Sequence, residues 1–181
     1  MKEYDFSIVA HSSRDLDADL VTEIANKLYD LGADDCTVSS QNNAVIVSFD
    51  REAHSYSEAV MSAIKQLKQF NFLTVKSVDA GEFVGLSDAA ELSELSRSAL
   101  SKFSKGERGG GGFPTPYLRL SGKAPLYDWA EIAEWLEDKG LIEPELVENA
   151  TFTRLINTAL RLKSNDDMNK VSSLVHEISI A

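Results

Sequence analysis

Between residues 4 and 78 the chain alternates between two hydrophobic periods, and that alternation limits the folds open to it. Residues 4–10, YDFSIVA, are short, apolar and aromatic, the composition of a strand. From 15 to 31 the apolar residues Leu16, Leu20, Ile24, Leu28 and Leu31 recur at helical spacing, and Gly32 is a good stop. Residues 36–40 and 44–49 are again strand-like and flank the turn-forming Gln41, Asn42 and Asn43, which predicts a hairpin. A second one-sided helix over 56–70 and a strand over 72–78 complete the order βαββαβ. That order predicts an α+β unit over residues 1–82, an antiparallel four-stranded sheet with both helices on one face.

The split βαβ order is that of the ferredoxin-like arrangement, which hosts many functions and so names none. After Gly81 the character changes. Ser87 is the expected cap of a short helix through Glu94, and Ser96 the cap of a second one to about Lys105. Two short helices with so brief a junction predict a helix-turn-helix whose second member reads DNA. Gly109, Gly110, Gly111 and Gly112, followed by Pro114 and Pro116, cannot continue that helix and force a loop. Extended stretches over 117–120 and 124–127 then predict a wing hairpin, and residues 128–139 a helix ended by Gly140. A winged helix-turn-helix over 83–142 is the expectation, with a helical tail over 143–181. Apolar residues in that tail need covering, which suggests a homodimer.

Charge sharpens the reading. The chain carries a net −11, yet residues 96–123 hold Arg97, Lys102, Lys105, Arg108, Arg119 and Lys123 against Glu107 alone. Every other stretch is acidic, so one basic island sits in a negative chain, the footprint expected of a phosphate contact. On the second helix Arg97, Ser98, Ser101, Lys102 and Lys105 share a face, while Ala99, Leu100 and Phe103 turn inward. Arg97 is expected to read bases and the serines, including Ser96, to contact phosphate or base edges. Arg108 with Gly109 and Gly110 would let main chain approach phosphate, and Arg119 and Lys123 would hold flanking phosphates from the wing. Ser96 alone is more often simply a cap, and the glycine run could equally be a linker.

Residues 85–136 also resemble a known family. The serine-rich SRSALSKF, the element FPTP, and a later helix carrying Ile132 and Trp135 are similar to the MerR-type winged helix-turn-helix of excisionase-like and AlpA-like regulators. With FDREA at 49–53 and GERGGGGFPTP at 106–116, the arrangement over 4–140 also looks like a group of bacterial proteins taken to bind DNA. The resemblance implies a sequence-specific binder of double-stranded DNA that regulates transcription. Its loop departs from the family, with four glycines where a proline is usual.

Other functions find less support. Residue Cys36 reads as a buried structural thiol in a strand, and His11, His54 and His176 share no ligand spacing with it, so neither metal nor cofactor is expected. In FDREA, Asp50, Arg51 and Glu52 read as a strand-end and turn cluster with a salt-bridging arginine. No nucleophile, base and orienting group occur together, so no enzyme is expected. Trp129, Trp135 and Phe113 fall at core spacing or beside prolines. No apolar run could cross a bilayer and no leader is evident, which predicts a cytoplasmic protein off the membrane. Alternatives remain: an antitoxin-like partner of another protein, a ligand sensor through the first 82 residues, or an RNA-binding sheet using Tyr4, Phe6, Phe49 and Phe72.

Overall fold

The computed structural model describes residues 1–122 and 124–180. Strands β1 (Lys2–Ser12), β2 (Cys36–Gln41), β3 (Ala44–Ala53) and β4 (Leu73–Asp79) form one sheet in the order β2-β3-β1-β4, every neighbouring pair antiparallel. Helices α1 (Ala18–Asp30) and α2 (Tyr56–Leu67) lie between them in sequence. The protein is thus a mixed α+β chain with a small antiparallel sheet. Alternation explains the sheet: Tyr4, Phe6, Ile8 and Ala10 of β1 and Val45, Val47 and Phe49 of β3 are all buried. Phe6 pairs with Phe49 across the strands, their rings stacked at 5.3 Å.

The helices start where a side chain can satisfy a free amide. Asp17 accepts from Leu20 N–H at 2.8 Å and Ser55 from Glu58 N–H at 3.2 Å. Helix α1 therefore begins three residues after the expected start at 15, and α2 ends at Leu67 instead of 70, where Phe70 turns into the core. FDREA is not a turn. It lies inside β3, because Asp50 and Glu52 point outward while Arg51 and Ala53 point inward, so the strand's alternation runs on through charged residues. Arg51 is 7% exposed. Its Nε and Nη2 donate to the two Asp35 carboxylate oxygens at 2.7 and 2.8 Å, and Nη1 donates to Ser62 at 2.8 Å. The expected salt-bridging arginine is present, inside the fold.

A second apolar cluster forms from β5 (Phe83–Val84), α3 (Leu86–Leu92), α4 (Arg97–Ser104), β6 (Tyr127–Asp128) and α5 (Trp129–Asp138). Strands β5 and β6 pair antiparallel, so chain entry and α5 start are stitched together. Gly85, not Ser87, precedes the first turn of α3, and the Asp88 carboxylate accepts from Gly85 N–H at 2.9 Å. The wing is slighter than expected. Among the described residues of 117–126 there is a single bridge, Leu118 with Leu126, and a turn from Arg119 to Gly122. Pro116 and Pro125 beside that bridge supply no N–H to extend the ladder, and pairing resumes only at Tyr127.

The segment expected as a tail divides in two. Helix α6 (Pro144–Arg161) is built into the body: Phe152, Ile156 and Leu160 pack on the sheet's core, and Leu146, Val147 and Ala150 on the second cluster. Its Asn157 amide pairs with β4 as a peptide group would, accepting from Val78 N–H at 2.7 Å and donating to Val78 C=O at 2.9 Å. Lys2–Glu145 at 2.6 Å, Arg154–Asp128 at 3.4 Å and Arg161–Glu82 clip the same helix to both clusters. Helix α7 (Asn165–Ile180) has no buried residue. Among the described residues no helix is long and apolar enough to cross a membrane.

Candidate nucleic-acid interface

Helix α3 ends in a turn that sets the angle of α4. Leu95 N–H donates to Ala90 C=O at 3.0 Å and Glu94 N–H to Glu91 C=O at 3.2 Å, the double closure of a left-handed cap, with Glu94 at φ 56 where glycine is usual. Ser96 then accepts from Ala99 N–H at 3.1 Å and starts α4. Its hydroxyl is a cap, the structural half of the sequence expectation. Leu100 and Phe103 are buried and hold α4 to the cluster, with Ala99 half-buried beside them.

The opposite side of α4 is open. Arg97, Ser98, Lys102 and Lys105 are exposed and Ser101 is half-buried. Residues 97, 101 and 105 are four apart, as are 98 and 102, so these five side chains run as one stripe along the helix. Among the described residues, none of Arg97, Lys102, Lys105, Arg108 and Arg119 belongs to an ion pair. The first turn of α4 also contains no acid, whereas every other described helix has one there. Its positive dipole end is left uncompensated.

The glycine loop is pinned, not loose. A Cβ on Gly109, at φ 83, would sit 2.5 Å from Trp135 Cη2 and 3.1 Å from Phe103. Trp135 Nε1 donates to Gly111 C=O at 3.2 Å. The missing Cβ of Gly109 therefore makes room for the indole, a packing role beside the one expected from the sequence. Gly110, by contrast, faces open space. Phe113 joins the clasp at 5.2 Å from the Trp135 ring and 5.8 Å from Tyr127, whose phenol is pushed up by burial. Trp129 and Trp135 are core residues as the spacing predicts, and Phe113 is half-buried against them. Arg108 lies over the Phe103 ring at 5.6 Å, which keeps it beside α4.

Arg119 is exposed in the hairpin turn at φ 57, and Tyr117 stacks on Phe83 at 5.3 Å to anchor that hairpin. The expected wing contact Lys123 lies outside the described residues. The structure thus brings Arg97, Ser98, Ser101, Lys102 and Lys105 together, adds Arg108 through Phe103, and carries Arg119 on a separate element. Sequence reasoning missed the Trp135 clasp; the one available signal is the indole's spacing on α5, which says core but not which loop it holds.

Other sites fare worse. The cavity of about 810 Å³ between β4, β5 and α3 is lined by Asp5, Asp79, Glu82, Asp88 and Glu91, a sign that repels phosphate. Cys36 is half-buried, not fully buried as expected; its thiol donates to Ala33 C=O at 3.4 Å and is pushed up mainly by burial. Among the described residues no three His, Cys, Asp or Glu side chains converge as metal ligands. No family model, curated protein or solved structure matches the chain.

Proposed function

We propose that this protein is a sequence-specific binder of double-stranded DNA that regulates transcription, with α4 as the recognition helix of a winged helix-turn-helix over residues 83–142. The observation that carries the reading is the α4 stripe: exposed basic side chains, outside any ion pair among the described residues, on the second of two short helices in a chain of net charge −11. In so acidic a chain, exposed bases have internal acids to choose from. Leaving them free keeps local positive potential for an outside anion. The acid-free N-terminus of α4 adds to it.

In this reading Arg97, at the start of α4, contacts base edges, as guanidinium does bidentately with guanine. Ser98 and Ser101 offer hydroxyls to bases or backbone, and Lys102, Lys105 and Arg108 neutralise phosphates. Gly110 presents open backbone beside them, and Arg119 extends contact from the wing. The four-stranded unit, which we take as ferredoxin-like and spanning 1–82, supplies a rigid base to which α6 fixes the reader.

Selection of duplexes from a random pool, followed by fluorescence titration, tests this reading. An enriched motif is expected, with affinity falling steeply as salt rises. Arg97→Ala should flatten base preference at one position by about 1–3 kcal/mol, while Lys102→Ala should weaken all duplexes alike. No enriched motif, together with indifference to salt, would overturn it.

A second reading, a basic protein partner, is favoured by one feature of the open sheet face. Glu3 lies opposite Glu52, and Asp5 opposite Asp50. Like charges placed directly across strands cost stability unless something cationic covers them.

A further inference from the structure

Helix α7 is a 16-residue helix with none of its residues buried. A helix of that length is marginal in water by itself, so most of its stability must come from packing. The apolar residues for that packing are present and idle: Met168, Val171, Leu174, Val175 and Ile178 are between 40% and 75% exposed. Met168, Val171, Val175 and Ile178 follow one another at intervals of three, four and three. That is the narrow seam of two helices supercoiled together, not the wider stripe of a helix lying on a core.

We propose that α7 pairs with α7 of a second copy of this chain. Charge argues for a second copy. Two molecules of net charge −11 repel each other, so self-association needs an interface kept clear of acids. On α7 the positions beside the seam are Ser172, Leu174 and Ser179, while Asp166, Lys170 and Glu177 project away from it, and only Asp167 borders its first turn. Lys170 is already paired with Asp166 on that outer side at 2.5 Å. Area agrees. The five apolar side chains leave on the order of 500 Å² per copy in water, so a two-fold pair hides roughly 1,000 Å², where specific interfaces begin. A stripe that meets itself is what two-fold symmetry demands. The pairing is independent of the DNA reading, although it would set two α4 helices in one particle.

Sedimentation equilibrium of the full chain should give a dimer with a Kd of roughly 1–50 μM. Val171→Asp with Val175→Asp should weaken it more than about 100-fold, since unpaired carboxylates would be buried in the seam. Because α7 buries nothing, the variant's body should melt unchanged, followed by Trp129 and Trp135 fluorescence. In a Cys36→Ser background, Val175→Cys should oxidise to a covalent dimer and Ser173→Cys, on the far side, should not. A monomer at about 100 μM, or a dimer indifferent to the double substitution, overturns the proposal. So does a monomer whose α7 amides resist exchange, since α7 would then have folded onto the apolar groove of its own α6 at Val147, Thr151 and Leu155. A monomer that still binds duplex DNA with a salt dependence removes the pairing and leaves the DNA reading standing.

Discussion

Arginines in the two halves of this molecule meet opposite fates. In the four-stranded sheet and its helices, Arg14 binds both carboxylate oxygens of Glu23 at 2.8 and 2.9 Å, and Arg51 is sunk between Asp35 and Ser62. Around α4, Arg97, Arg108 and Arg119 remain exposed and outside any ion pair among the described residues. Both regions stand on buried apolar clusters. The difference lies in what these arginines are given to do; the lysines do not divide the same way, since Lys65, Lys68 and Lys76 of the sheet half are also exposed and outside any ion pair among the described residues. Where a base stabilises the fold, the chain supplies an acid at contact distance. Where none is supplied among the described residues, in a chain with 29 acids to draw on, the guanidinium keeps its positive potential at the surface.

The largest expected effect tests whether the α4 region depends on its clasp. Trp135→Ala removes the indole against which Gly109 packs and the donor that holds Gly111, and should cost about 3–5 kcal/mol in urea unfolding. DNA affinity should fall with it, because Phe103 and Arg108 lose their support. Retained stability would show the loop to be unpinned. Arg51→Leu comes next. It leaves Asp35 without its partner, and since that carboxylate is 25% exposed and can rehydrate, about 2 kcal/mol is expected, less than a fully buried pair would lose. DNA affinity should not change, and a large loss of it would erase the contrast between the two halves.

The smallest effect concerns the ion pair that clips β1 to α6. Lys2 holds the Glu145 carboxylate below its ordinary 4.5, so this contribution is present above that pH and is lost as pH falls through the lowered value. Glu145 in turn raises Lys2 above 10.5, so the same contribution is lost again as pH rises through the raised value. Hydrogen exchange at the start of α6 should therefore quicken in acid, below 4.5, relative to the rest of the helix. Lys2→Met should abolish that extra step, and an unchanged profile in the variant would discount the clip.

Local signals carried much of this fold into the sequence. Asn42 and Asn43 adopt positive φ in the β2–β3 turn, Ser96 caps α4, and Gly140 closes α5 in the left-handed conformation, each through chemistry within a few residues. What escaped was set at a distance. The close packing of Gly109 is set chiefly by Trp135, 26 residues on, and the inward course of Arg51 by Asp35 and Ser62 on other elements. Asn157 reads as a polar residue on a helix until β4 is beside it. Of the candidate site, the five α4 positions were legible because helical period alone aligns them. The wing was overestimated because proline's missing donor matters only once the pairing register is known.

Whether the α4 stripe meets nucleic acid is tested most directly by the salt dependence of duplex binding. The slope of log K against log salt should be steep for the full chain, and smaller by about 2 for Lys102→Ala with Lys105→Ala, at unchanged melting temperature. Identical slopes for the two proteins, or a full chain that binds no duplex at low salt, would contradict it.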